Sequence, residues 1–552
     1  MIKRLYLGNW LYNAGLLGFY RMLSNADKEI VYKNNYIEFD TEVLEDFQYD
    51  YFNYLINEHR EYCSYTKVMD KINFMLVGYE NVEDMKESSY SQYGQNIDFI
   101  KSKVISNSFV SAYELGKSEV DIVSLGKKIK KISYKNKIEK TKAILEENKI
   151  YLEELRDALN VESVKYAVLS KNVIYDVIAL FWEGYCFLNP KKVDLNIFDY
   201  FKECFLDNIE KFKEDPKAKY ICSCCETPIK SKSQAKNTAW LKEVGINTDK
   251  KASHFWNYGV TDYNCPWCIL IFACIPGGFS VRRRNGIFVN NNASMSSLIK
   301  SNQSDRELTN LSELEEDMYY KLAQSMVSDN EYENAFNELD DIQVIRLIDK
   351  ESKTGYSFNL LSKEKLRTIV KFNEALKHFV KRNIKLDNGL YINIYNEVIN
   401  RLYENKSMFD LVYKVLRVYI DSGRDESYMI KNLLKINLAM YESKGERLMA
   451  SYTNINDFTS YGQGLRALTN VRNSAKISGI SYRLLNALKT NNVNTFMDTL
   501  INAYMYVGQP LPRKLNSLLF NEMNFKTYGY AFVTGLQAED IKNGVKEESE
   551  DN

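Results

Sequence analysis

The sequence predicts an α+β fold that is mostly helical: an N-terminal α/β portion with an inserted zinc-ribbon-like module, then a C-terminal antiparallel helical bundle. Three observations predict it. Apolar residues recur at helical spacing through nearly all of 362–540, where Pro occurs only at Pro510 and Pro512; short polar breaks between such helices imply antiparallel neighbours. Two Cys-x-x-Cys pairs, Cys222/Cys225 and Cys265/Cys268, mark a central module. The first half mixes helix-periodic runs with hairpin signals. The predicted parts are a mixed α/β domain at 1–215, the cysteine module with a basic hairpin at 216–295, an acidic helical connector and hairpin at 296–361, and the bundle at 362–552.

A chain of 552 residues exceeds one hydrophobic core. With 73 basic and 73 acidic side chains it has no global field, so nucleic acid would have to be bound by local patches. No apolar run is long enough for a membrane helix. The opening "MIKRLYLGNWLYNAGLLGFYRML" is basic then apolar, but Asn9, Asn13 and Arg21 interrupt it and no cleavage site follows, so it reads as a strand or short lead and then a folded helix. Within it Gly15 and Gly18 share the apolar face and indicate very close packing. "EIVYKNNYIEF" reads as a hairpin turning at Asn34-Asn35, and "TEVLEDFQYDYFNYLINEH" as an aromatic helix. Helical patterns fill 145–185. After the cysteines, "FSVRRRNGIFV" reads as a hairpin with Asn285-Gly286 in a type I′ turn. "QVIRLIDKESKTGYSFNLL" suggests another hairpin, and the acidic C-terminus a frayed end.

Six of the nine cysteines lie in the two short stretches. In a reducing cytosol such pairs mean metal or redox chemistry rather than a disulfide framework. A thioredoxin-type dithiol needs a βαβ context that is missing. Two knuckles supply four thiolates, which suits tetrahedral Zn²⁺ and leaves no open position, making the site structural. Cys224 offers another ligand register, and His254 or Cys274 could substitute for a ligand. Cys63, Cys186 and Cys204 read as core thiols.

Cationic stretches are the candidate nucleic-acid contacts. Arg282, Arg283, Arg284 and Asn285 sit at the hairpin tip, where arginine could read guanine or enter a narrow groove; the competing reading is salt bridges to the acidic stretch at 313–317. Lys127, Lys128, Lys130 and Lys131 open a run of eight lysines ending at Lys142, with Tyr134 embedded; the competing reading is a solvated helix face or loop. Lys230 and Lys232 lie between the knuckles. No HD pair, HExxH or Walker loop is present, and Asp340-Asp341 falls in a solvated acidic helix, so no enzyme is expected.

Together, "GNWLYNAGLLGFYRML" at Gly8–Leu23, "DFQYDYFNYLI" at Asp46–Ile56 and the separated Cys-x-x-Cys pairs resemble the CRISPR-associated CXXC–CXXC family, the large subunit of type I-B Cascade. The resemblance covers the first 290 residues or so; the helical second half agrees in type only. It implies a cytoplasmic, non-catalytic subunit near the 5′ handle of the guide RNA, working with Cascade backbone subunits. Such a subunit checks a protospacer-adjacent motif on double-stranded DNA, helps open the duplex, stabilises the displaced strand and docks a helicase–nuclease. Base pairing to the guide reads most of the sequence, so a small base-reading element suffices. Asn9, Trp10 and Asn13 match the family's N-terminal motif, with a structural or guide-handle role. The alternative is a free-standing zinc-ribbon DNA-binding regulator.

In relatives a small helical subunit is sometimes translated from within the large-subunit gene. Lys444-Gly445-Glu446 can be encoded by a purine-rich ribosome-binding sequence ahead of Met449, which would release 449–552; Met429 and Met440 are rival starts. Arg466, Arg472, Lys476 and Arg483 would then be candidates for holding displaced DNA.

Overall fold

The computed structural model describes residues 1–77, 86–133, 138–189, 196–213, 217–218, 220–246, 262–303, 313–315, 318, 342–350, 353–361, 365, 368–369, 371–380, 382–386, 389–442, 452–473, 475–519 and 521–538. Helix dominates, with small sheets. The chain forms two compact units, Met1–Leu311 with Ile342–Phe358, and Ser312–Asp341 with Asn359–Asn552. The four-part division expected from sequence is not how the contacts partition: the cysteine segment shares one continuous core with the N-terminal helices.

The first unit opens with β1 (Ile2–Tyr6), α1 (Trp10–Asn25), β2 (Val31–Tyr32) and β3 (Tyr36–Asp40), ordered β1-β3-β2 and antiparallel. The hairpin turns where Asn34-Asn35 predicted, closed by Lys33 N–H to Tyr36 O at 2.8 Å. Asn9 caps α1 by accepting the Tyr12 N–H, which is why the helix begins at Trp10. Next come α2 (Phe47–His59), α3 (Ser64–Val77), α4 (Glu87–Val104), α5 (Asn107–Leu115), α6 (Ile122–Lys128), α7 (Ile138–Asn160) and α8 (Glu162–Asp176). The helix pair α9 (Ile197–Phe201) and α10 (Asp207–Glu210) is joined by a π turn at Lys202–Leu206.

The cysteine segment follows as β4 (Tyr220–Ile221), β5 (Pro228–Ile229), α11 (Pro266–Ala273) and α12 (Ile275–Gly278). β6 (Ser280–Arg282), β7 (Asn285–Asn290), α13 (Met295–Ser301), β8 (Ile342–Lys350) and β9 (Lys353–Leu361) complete it. The two hairpins read separately in the sequence join into one sheet ordered β6-β7-β8-β9. All eight residues of α11 are buried, as its unbroken "PWCILIFA" run requires.

The second unit carries α14 (Asn373–Val380), β10 (Asn383–Lys385), β11 (Tyr391–Asn393), α15 (Ile394–Tyr403), α16 (Phe409–Ser422), α17 (Ser427–Glu442), α18 (Tyr452–Asn473), α19 (Ala475–Lys489), α20 (Val493–Val507) and α21 (Glu522–Gln537). The helical reading of 362–540 is correct in type. α18 and α21 pack backbone to backbone: a Cβ on Gly462 would lie 2.1 Å from Phe532 O, and one on Gly535 closer still to Thr459 O. Met429 and Met440 are buried within α17, while Lys444-Gly445-Glu446 and Met449 lie outside the described residues. Arg466 bonds Leu536 O at 3.0 Å, Lys476 sits 3.7 Å from the Tyr506 ring centre, and Arg483 is exposed. Of Arg472 only its place in α18 is described.

Candidate metal centre and basic hairpin

The first cysteine knuckle is built on the tip of the β4–β5 hairpin. Cys222 N–H donates to Thr227 O at 2.9 Å and Glu226 N–H to Cys222 O at 3.0 Å, closing a tight loop. Glu226 takes the left-handed backbone, φ 61°, which turns Cys225 back towards Cys222. The second knuckle is a helix start: Cys265 is the N-cap of α11, Pro266 fills the first helical position where no amide is needed, and Cys268 stands in the first turn. This corrects the zinc-ribbon expectation, since one knuckle sits on a helix rather than a second hairpin. The apolar run after Cys265 favours a buried helix over a solvent-edged ribbon.

The four sulfurs converge. Cys222 and Cys268 Sγ lie 3.7 Å apart, Cys225 and Cys265 Sγ 3.6 Å, and all four fall within 4.8 Å of one another. Zinc–sulfur bonds of about 2.3 Å place tetrahedral sulfurs about 3.8 Å apart, so the set fits a four-thiolate ion. Cys265 N–H donates to Cys222 Sγ at 3.3 Å, and Thr227 Oγ1 lies 3.1 Å from Cys225 Sγ. Such contacts stabilise thiolates. Without a cation the cluster cannot ionise fully: hydrogen bonds from Cys222, then Cys265 and Cys268, hold Cys225 far down, while the thiolates formed push Cys265 and Cys268 up. A cation removes that conflict. Three of the sulfurs are buried and Cys225 is exposed. The four cysteines could therefore hold a metal ion.

Of the rival ligands, Cys224 stays outside the four-sulfur set, and buried Cys274 lies at the far end of α11. His254 lies outside the described residues. Cys63 and Cys186 are buried thiols, as read; Cys204 is half-buried.

α1 braces this centre. A Cβ on Gly15 would lie 2.1 Å from Ile271 O, one on Gly18 2.0 Å from Cys274 O, and one on Gly278 also inside contact distance of Ala14 O. The glycines let α1 lie against the α11–α12 backbone. α2 joins them: Tyr51 Oη donates to Ala273 O at 3.0 Å and Tyr54 Oη to Gly277 O at 3.3 Å. The three stretches that carry the family resemblance thus meet on one helix. Asn13 is buried, accepts Gly8 N–H at 2.7 Å and donates to Asn290 and Asn292 Oδ1 at 2.9 and 3.0 Å. Trp10 packs edge-on against Tyr356 and Phe358. Asn9, Trp10 and Asn13 all have structural work here.

The basic hairpin exists, but its turn is two residues earlier than read. Register pairs Arg282 with Asn285, so Arg283-Arg284 form the loop, at φ 47° and 65°. Gly286 stays in the strand because its Cα faces Phe279, Val281 and Leu347, where a Cβ would meet atoms at 3.3 to 3.5 Å. The buried run Gly286–Asn290 fixes the register, which overrides the Asn-Gly turn preference. The three arginines then diverge. Arg282 is 2% exposed, donates to Val281 O and lies 5.7 Å from the Tyr62 ring, which removes it from any groove-reading set. Arg284 pairs with Asp349 at 2.5 Å, a partner on β8 rather than in the 313–317 stretch. Asn285 Oδ1 accepts Asp349 N–H at 3.0 Å. Arg283 is exposed at the tip.

The lysine run is similarly divided. Lys130 pairs with Glu147 and Lys131 with Asp98, both at 2.7 Å, and Lys128 lies 5.6 Å from the Tyr151 ring. Lys127 is exposed; Tyr134–Lys137 lie outside the described residues. Lys230 and Lys232 are exposed beside the first knuckle, with Lys232 Nζ 5.7 Å from both the Tyr220 and Tyr263 rings. Those two tyrosines were missed in the sequence, where each stands alone.

With this geometry in place, residues 215–280 match the family model described as CRISPR-associated protein (Cas_CXXC_CXXC). That stretch holds both thiol pairs and α11, which Cys265 caps, and the match ties it to CRISPR-associated proteins. No curated protein and no solved structure matches the chain.

Proposed function

We propose that the chain is the non-catalytic large subunit of a type I-B Cascade, an RNA-guided surveillance complex of the cytoplasm. The observation that carries the reading is the convergence of Cys222, Cys225, Cys265 and Cys268 within the stretch that matches the CRISPR-associated family. These cysteines would hold Zn²⁺, which supplies folding energy at a closed shell and no Lewis-acid chemistry. The chain's own residues do the rest: α1 and α2 clamp α11, and the β6–β7 hairpin leaves that braced core with Arg283 outermost. Arg283 would contact the protospacer-adjacent motif on duplex DNA, with Asn285 and the Arg284–Asp349 pair setting the loop. Its strained backbone is consistent with a functional tip, since non-glycine residues at positive φ cost energy that packing elsewhere must offset. Lys230 and Lys232 would follow the backbone of target DNA or the displaced strand, and the complex would include guide RNA, backbone subunits and a helicase–nuclease. Among the described residues no helix is long and apolar enough to cross a membrane.

The regulator alternative gains nothing from the packing, because the metal centre is embedded in the core and is not a separable module. The test is to express the tagged chain with its neighbouring genes. Guide RNA and several proteins should co-purify, with one zinc per chain; a preparation that carries no RNA overturns the reading.

A further inference from the structure

Between residues 183–185 and the 235–240 segment lies a cleft of about 650 Å³ that neither the metal centre nor the basic hairpin uses. It is lined by Glu183, Gly184, Tyr185, Lys236, Asn237 and Trp240, with Ala235 and Ala239 between them. Two backbone pairings hold its walls: Glu183 N–H donates to Trp240 O at 2.9 Å, and Lys242 N–H to Phe181 O at 2.8 Å. Tyr185 and Trp240 rings lie 5.2 Å apart at 32° and form an aromatic wall. Trp240 is buried on its other side against Trp182 and Phe205, so the wall is rigid. Trp240 is 7% exposed and its indole N–H finds no acceptor among the described residues. Lys236 Nζ reaches over the Tyr185 ring at 5.9 Å. Asn237 is exposed, and its Oδ1 accepts Ala239 N–H at 3.2 Å. Gly184, at φ 65°, is exposed and has no described residue within 4 Å of its missing Cβ.

We infer that this cleft binds one unpaired base of a single-stranded nucleic acid, stacked on the half-buried Tyr185 ring that Trp240 backs, with its phosphate on Lys236. The inference rests on the nucleic-acid reading above. A flat, aromatic, polar-edged ligand suits the wall, the volume falls in the range of small-molecule sites, and the cation at the rim suits an anionic linker. Asn237 supplies donors to acceptors on the base edge. Exposed Glu183 accepts from exocyclic amines and disfavours ligands with several phosphates packed together, such as a nucleoside triphosphate. A strand rather than a free nucleotide is the ligand because the backbone of Lys236 pairs with Asn264, and the adjacent Tyr263 forms with Tyr220 a second aromatic surface over which exposed Lys232 lies.

The test uses the full chain and short single-stranded DNA and RNA oligonucleotides carrying one 5-iodouracil. Photo-crosslinks should map to Tyr185. Loss of one stacked base weakens affinity by about 5- to 160-fold, from about 1–3 kcal/mol of stacking, so Tyr185→Leu should fall in that window. Should Tyr185→Leu fail to fold, Lys236→Ala, on the exposed rim, should still weaken binding several-fold and flatten its salt dependence. Adenosine monophosphate should compete only at far higher concentration than the oligonucleotide. Oligonucleotide binding that crosslinks elsewhere and is unmoved by Lys236→Ala overturns the cleft but leaves the nucleic-acid reading intact. Equal competition by the mononucleotide overturns the strand assignment. No binding of any nucleic acid, alone or in the assembled complex, overturns both.

Discussion

Gly18→Ala tests the contact on which the metal centre is braced. The added Cβ would lie 2.0 Å from Cys274 O and 3.0 Å from its carbonyl carbon, whereas ordinary contact begins near 3.4 Å. The backbones of α1 and the α11–α12 segment would have to part by about 1.4 Å. Neither side can rotate away, because both obstructing atoms are main chain. Overpacking of this kind costs typically 1–3 kcal/mol, and a backbone clash belongs at the upper end. Alanine returns about 1 kcal/mol of helix propensity, so the net loss is about 2 kcal/mol. Gly94→Ala, in α4 of the same unit, is the matched control: nothing lies within 4 Å of its Cβ, so only the gain of up to about 1 kcal/mol remains. Urea unfolding followed by tryptophan fluorescence should move the two variants in opposite directions. Gly18→Ala should also lose metal faster to a chelator, since α11 carries Cys265 and Cys268. Equal unfolding midpoints for the two variants would refute the close approach of α1.

Cys268→Ser should abolish bound metal by elemental analysis, whereas Cys224→Ser and Cys274→Ser should keep it. Chelation of the wild-type metal should destabilise the first unit and expose thiols, because ion binding and folding of the knuckles are one free energy. Arg283→Gly should stabilise the hairpin by about 1 kcal/mol, as glycine accepts φ 47° freely, while lowering duplex affinity. Arg284→Ala should lose about 1 kcal/mol, since its pair with Asp349 is partly exposed. Burial, and then the nearby Arg282, push the His59 imidazole from 6.5 down to about 3. The unfolded chain thus takes up the proton first. Stability is full above pH 6.5 and falls as pH drops towards 3, and His59→Gln should flatten that limb of a pH–stability profile.

Sequence alone picked out the four cysteines that converge, while leaving Cys224, Cys274 and His254 open as ligands, together with the helical character of the second half, the N-terminal strands and the close packing of α1. These are local matters: Cys-x-x-Cys spacing, 3.6-residue periodicity and paired glycines on one face each specify geometry within a few residues. Three adjacent arginines look equivalent on the page, yet Arg282 is buried, Arg284 is paired and Arg283 is exposed. That division came from the strand register, set by buried Gly286–Asn290 and by β8, whose residues begin 52 positions after Asn290. Likewise only the fold could place Tyr185 beside Trp240, or seat α11 so deeply that a ribbon became a helix-capped centre. Side chains far apart in sequence become neighbours through the minimisation of exposed apolar area across the whole core, and no short window of residues contains that information.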